Sequence, residues 1–183
     1  MGEEKTHIIS AIVENKPGVL YSVANMFRRR GFNIESISVG PTEQEDLARM
    51  TVTVRQDEKT LDQVVKQLNK LIDVVKVSIL DPASVVTREM ALVKVHVSET
   101  KSRSDITNYV EVFRGRIVDI SPETLMVEIT GGSDKISAFI DLMKTFGIKE
   151  IARTGITALS RGSKAVKIEE EFGGKQNGKS ILR

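Results

Sequence analysis

The chain has 183 residues, 40% of them hydrophobic and 28% charged, with 27 Lys and Arg against 25 Asp and Glu. That length makes one medium domain or two small ones, with enough apolar content for a packed core that needs no staples. The formal charge of +2 gives no footprint of a nucleic-acid binder, and the absence of cysteine removes disulfides, thiolate catalysis and cysteine-ligated metals.

His7 to Val13 reads as a strand, with Ile9, Ala11 and Val13 on one side and Ile8, Ser10 and Ile12 on the other. It stops at the turn-rich Glu14-Asn15-Lys16-Pro17-Gly18. From Val19 the period changes. Val19, Leu20, Val23, Met26 and Phe27 share one helix face, Arg28 to Arg30 fall in the last turn, and Gly31 is placed as the C-terminal cap. Phe32 to Val39 reads as a second strand, broken before Pro41, and Thr42 to Asp46 as a polar hairpin loop. Arg49 to Arg55 alternates strictly, with Met50, Val52 and Val54 against Thr51 and Thr53, which predicts a half-solvated antiparallel strand. Asp57-Glu58 opens a helix carrying Leu61, Val64, Val65, Leu68 and Leu71, and Val75, Val77 and Ile79 form a fourth strand.

After a linker expected near Asp81 to Arg88, the order repeats. Ala91 to Val97 is a strand, Ile106, Tyr109, Val110 and Phe113 mark a helix, and Arg116 to Ile120 is the next strand. Leu125, Val127 and Ile129 mark another strand, Ile136, Phe139, Ile140 and Met143 a helix, and Glu150 to Leu159 the last strand. The fold class is therefore α+β: two tandem ferredoxin-like βαββαβ domains, antiparallel sheets with helices on one face. The expected division is 1–82, 83–160 and a polar basic tail, 161–183. From Ser160 onward, six basic residues stand against three acidic ones.

Chemistry-bearing residues are sparse. His7 and His96, the only histidines, sit on separate strands without metal-ligand spacing. Gly131-Gly132-Ser133-Asp134-Lys135 lacks the spacing of a phosphate loop, and Ser133 fits better as a helix N-cap. No DNA-reading helix pattern and no aromatic stacking platform is present, so no nucleic-acid partner is expected. The polar N-terminus is no signal peptide, and no apolar run approaches the ~18 residues of a spanning helix, so a cytoplasmic chain without a membrane partner is expected. The turn from Glu14 to Leu20 is the one promising place. A helix N-terminus offers free amides to a carboxylate, and Gly18 would let a ligand approach closely. Asn15 and Asn33 could meet a zwitterion, with Val19 and Leu20 beside its side chain. The plainer reading, in which Pro17-Gly18 only makes a turn, needs no ligand.

The stretch His7-Ile8-Ile9-Ser10-Ala11-Ile12-Val13-Glu14-Asn15-Lys16-Pro17-Gly18-Val19-Leu20 resembles the start of an ACT domain, a βαββαβ module that often senses amino acids. Phe27-Arg28-Arg29-Arg30-Gly31-Phe32-Asn33-Ile34-Glu35-Ser36-Ile37 and Gln67 to Val74 resemble the small regulatory subunits of acetohydroxyacid synthase (acetolactate synthase). In the second half, Arg88 to Val95, Phe113 to Asp119, and Ala152-Arg153-Thr154-Gly155 through Leu159-Ser160-Arg161-Gly162 are similar to the same family.

The resemblance implies a non-catalytic subunit of branched-chain amino acid biosynthesis. It would bind and activate the catalytic large subunit and confer feedback inhibition by valine or another branched-chain amino acid. It implies no cofactor in this chain, the thiamine diphosphate, Mg and FAD belonging to the catalytic partner. The family's effector site lies between ACT domains paired in a homodimer. Asn15, Gly18 and Asn33 match its ligand positions, with Lys16, Pro17, Val19, Leu20 and Ile34 beside them. Ser38 matches a position where the family often carries Thr. The second domain, lacking the Asn-x-Pro-Gly turn, is expected to supply part of the contact with the catalytic subunit. The competing expectation is a free-standing ACT-type amino-acid sensor acting on transcription or another enzyme.

Overall fold

A computed structural model describes residues 3–163. Two βαββαβ units follow one another, each a four-stranded antiparallel sheet with two helices on one face. The first comprises β1 (Lys5–Glu14), α1 (Val19–Arg30), β2 (Ser36–Pro41), β3 (Leu47–Gln56), α2 (Glu58–Leu68) and β4 (Val74–Leu80), in strand order β2-β3-β1-β4. The second comprises β5 (Val85–His96), α3 (Thr100–Val112), β6 (Arg116–Ile120), β7 (Thr124–Gly131), α4 (Ser133–Met143) and β8 (Ile148–Arg153), in the matching order β6-β7-β5-β8. The expected α+β class and element order hold. What remains of the basic tail, residues 164–183, lies outside the described residues.

Each unit has its own core. Val23, Met26 and Phe27 of α1 and Leu61, Val64 and Leu68 of α2 close over Ile9, Ala11, Val52 and Val54. Ile106 and Val110 of α3 and Ile136, Phe139 and Met143 of α4 do the same over Val93, Val95, Val127 and Ile129. Each large side chain buried this way contributes ~1.5–3 kcal/mol of transfer free energy, more than any surface pair in the chain. Local chemistry sets the ends. Gly31 takes φ +68 as α1 stops, and the Asp57 carboxylate accepts the Thr60 amide at the start of α2.

Four readings are corrected. Thr51 and Thr53 are 1% and 2% exposed, so β3 is buried on both faces rather than half-solvated. The cover arrives from the far end of the chain. A short strand β9 (Thr157–Ser160) pairs with the first four residues of β5, and this ribbon lies across the helix-free face of the first sheet. There Ala158 packs with Ile8 and Leu80, and Val85 and Ile156 join them. Accordingly, the last strand expected over Glu150 to Leu159 divides into β8 and β9, each bonding a different stretch of β5. The linker expected near Asp81 to Arg88 is a 3-10 turn, Pro82–Ser84, followed directly by β5. Finally, Gly132 rather than Ser133 occupies the N-cap of α4, because the Ser133 hydroxyl is taken by the Glu89 carboxylate.

Candidate functional site

The turn between β1 and α1 is built as a helix head without a side-chain lid. Gly18 caps α1 at φ +92, a left-handed conformation that L side chains rarely adopt, and among the described residues no side chain caps the first amides of the helix. A Cβ at Gly18 would meet nothing within 4 Å, so the turn is open on that side. Positive dipole and uncapped N–H groups together favour an anion such as a carboxylate.

Neighbouring contacts fix the turn. Asn15 donates its backbone N–H to Asp46 O at 2.7 Å and its side-chain amide to Glu45 O at 3.1 Å. The Lys16 ammonium pairs with Asp73 at 2.7 Å and with Glu14. The hydrogen bond that Lys16 donates to Asp73, then the one it donates to Glu14, raises the Lys16 pKa above its ordinary value. Val19 is buried in the core, whereas Leu20 and Tyr21 are 51% and 72% exposed beside the turn.

The other candidate residues lie elsewhere. Asn33 and Ile34 follow the C-terminal end of α1, a helix of 12 residues and hence ~18 Å long. The strands agree with that separation. Ser36 pairs with Thr53 and Gly40 with Arg49, while Ile8 also faces Thr53 and Ile12 also faces Arg49. Asn33 therefore marks one end of the sheet and Asn15 the other, so within one chain they cannot meet around one small ligand. Ser38 stands on the helix-free face, its hydroxyl 3.0 Å from that of Thr157. His7 Nε2 is 3.1 Å from Gln56 O, and the buried Nδ1 of His96 has no hydrogen-bond partner among the described residues.

A second polar centre sits at the joint of the two units. Glu89 is 6% exposed and accepts from Ser133 Oγ and from Arg153 Nε at 2.5 Å. It lines a cleft of about 690 Å³ that also borders Ile34, Ser36, Ile37 and Gly155. Sequence reasoning did not single out Glu89, although the signal was present: it falls in phase with Ala91, Val93 and Val95, a carboxylate at a core position. Among the described residues no group of three or more His, Cys, Asp or Glu could hold a metal ion. No helix among them is long and apolar enough to cross a membrane.

The open turn of an ACT-like unit, followed by a second unit of the same topology, is matched in known proteins. Residues 9–76 match the family described as the AHAS small subunit-like ACT domain, and residues 88–162 match the family described as the small subunit of acetolactate synthase. A "probable acetolactate synthase small subunit" of Methanothermobacter thermautotrophicus is 58% identical over 164 residues, covering 90% of this chain and 98% of its own length. The chain belongs to the acetolactate synthase small-subunit family. A protein of the same description from Archaeoglobus fulgidus is 55% identical over 86% of this chain and 98% of its own length. The crystal structure of the acetolactate synthase small subunit from Thermotoga maritima superposes with a TM-score of 0.82 at 48% identity, covering 87% of this chain and 99% of that one. With that membership, the small-subunit fold read from the sequence stands over both units.

Proposed function

We propose that this chain is the non-catalytic regulatory subunit of an acetohydroxyacid synthase in the cytoplasm, raising the activity of a catalytic large subunit and making it sensitive to valine or a related branched-chain amino acid. The observation that carries the effector part is the head of α1 at Gly18, without a side-chain cap, uncrowded around Gly18 and bordered by the exposed Leu20. The amides at the start of α1 take the carboxylate, and Asn15 with Asn33 contacts the rest of the zwitterion. Lys16, Pro17 and Val19 shape the turn, and Ile34 supports Asn33. Thiamine diphosphate, magnesium and FAD serve the catalytic partner.

Because Asn15 and Asn33 lie at opposite ends of one sheet, both reach the same ligand only when two copies combine. β2 is an edge strand, so it is free to pair with the β2 of a second copy. An antiparallel pairing about a two-fold axis sets the start of one β2, after Asn33, beside the end of the other, near Asn15. A ligand held across that seam favours one arrangement of the dimer, and its effect on the catalytic subunit is reciprocal. A coupling of ~1–3 kcal/mol gives a 5–150-fold response.

Mixing the chain with its catalytic large subunit and titrating valine against the rate of pyruvate consumption tests this. Addition of the chain raises the rate, valine lowers it again, and Asn33→Ala blunts the valine response while leaving the activation intact. A rate indifferent to the chain would overturn the regulatory reading. A rate raised by the chain but indifferent to every branched-chain amino acid would overturn the effector reading.

A further inference from the structure

The helix-free face of the first sheet is covered unevenly. Under the β5–β9 ribbon Ser10 and Thr51 are 0% and 1% exposed. Beside the ribbon, toward β2, a pocket of about 380 Å³ stays open, a volume within the ~300–1,000 Å³ of small-molecule sites. Arg49 and Thr51 of β3 form its floor. Residues 38–41 of β2 line one side, Thr157 and Leu159 of β9 the other, with Thr42 and Glu43 of the loop after β2 at one end. We propose that this pocket binds a small aliphatic carboxylate through the Arg49 guanidinium.

Arg49 is an unbalanced charge. It is half-buried, and its side chain makes one hydrogen bond among the described residues, from Nη1 to Ser10 Oγ at 2.9 Å. Among those residues it forms no ion pair, whereas Lys16, Lys94, Arg116 and Arg153 each meet a carboxylate. A neutral hydroxyl holds the guanidinium in place without cancelling its charge. A charge withdrawn from water is costly until an anion joins it. The remaining N–H groups belong to a planar fork that matches the two oxygens of a carboxylate. Space is left beside it: Gly40 faces Arg49 across the ladder, and a Cβ there would meet nothing within 4 Å.

The other lining residues narrow the class. Glu43 is exposed at the end of the pocket and opposes a second negative charge on the ligand, which disfavours a phosphate dianion. Leu159, 55% exposed, offers apolar surface to a short hydrocarbon chain. A monoanion with a short aliphatic tail satisfies both. The pocket and the head of α1 lie on opposite sides of the sheet, so this is a second site and does not rest on the functional reading above.

The full-length chain, titrated calorimetrically with sodium butyrate, binds it saturably and more tightly than acetate. Arg49→Gln keeps a donor for Ser10 and weakens butyrate binding about tenfold or more, the loss expected for a hydrogen bond to a charged group. Leu159→Ser removes the preference for butyrate over acetate while acetate still binds. Thermal unfolding checks that both variants are folded. Valine supplies a separate arm, because a ligand held at the head of α1 is unaffected by Arg49→Gln. Butyrate bound as described in a chain that binds no valine upholds the pocket and counts only against the functional reading. Loss of valine and butyrate together in a folded Arg49→Gln variant puts both in one site and overturns the proposal. Failure of the parent chain to bind butyrate, butyrate binding unchanged by Arg49→Gln, or inorganic phosphate bound more tightly than butyrate each overturns it as well.

Discussion

Gly155 lies directly against the backbone of Ile37: a Cβ at Gly155 would stand 2.4 Å from the Ile37 carbonyl oxygen and 3.0 Å from its nitrogen. The obstacle is main chain, so no change of rotamer relieves it. Gly155→Ala therefore pushes the segment after β8 away from β2, with a cost of ~1–3 kcal/mol for overpacking. Thermal unfolding of the full chain should show Tm lower by about 2–12 °C. Gly40→Ala, where a Cβ meets nothing within 4 Å, should leave Tm nearly unchanged.

Glu89 and Arg153 form an unequal pair. The Glu89 side chain is 6% exposed and that of Arg153 is 34% exposed. Arg153→Ala strands a buried carboxylate with only Ser133 as donor, in the range of ~3–5 kcal/mol for a broken buried pair. Glu89→Gln leaves a guanidinium that can turn to water, so its cost should fall nearer ~1–2 kcal/mol. Urea unfolding of the two variants checks the order. Equal losses would show that the two groups are desolvated alike.

At Gly18 the constraint is conformational rather than steric. With φ +92 and open space around it, Gly18→Ala should cost ~1–2 kcal/mol through the left-handed backbone alone. If the head of α1 takes a ligand carboxylate as proposed, Gly18→Asp sets a like charge against it, so calorimetry should find valine binding lost in Gly18→Asp. In Gly18→Ala binding should be weakened without being abolished.

Asp57 supplies a pH signature. Hydrogen bonding from Thr60 at the head of α2 holds its carboxyl below the ordinary value. A depressed folded-state pKa adds stability that is fully present above the unfolded value of about 4 and is lost as pH falls through the folded one. Asp57→Ala should be less stable than the parent at pH 7, and the two unfolding curves should converge as pH drops below about 4.

The order of elements was legible because each is announced locally, by the change of period at Val19 or by Asp57 before Leu61. Burial of Thr51 and Thr53 was not, since their cover is Ile156 to Ala158, a hundred residues away in sequence, and alternation reports only the face an element presents. Val85-Val86-Thr87 carried a β-branched signal for the early start of β5, masked by Pro82 just before it. Pro17-Gly18 correctly marked the head of a helix, which Gly18 caps at a positive φ. The separation of Asn15 from Asn33 follows from the length of α1, but the second copy that would reunite them is written in no single stretch of the chain.

Because β5 begins by pairing β9 over the first sheet and continues as the centre of the second, neither half owns its boundary. Severing the chain at residue 82 would strip Val85, Ile156 and Ala158 from Ile8 and Leu80. The excised front half would then carry a bare, sticky plane and should precipitate or self-associate, even though its own helices and strands are intact. Molecules that keep both halves should melt in one step, as a unit stitched by a single thread.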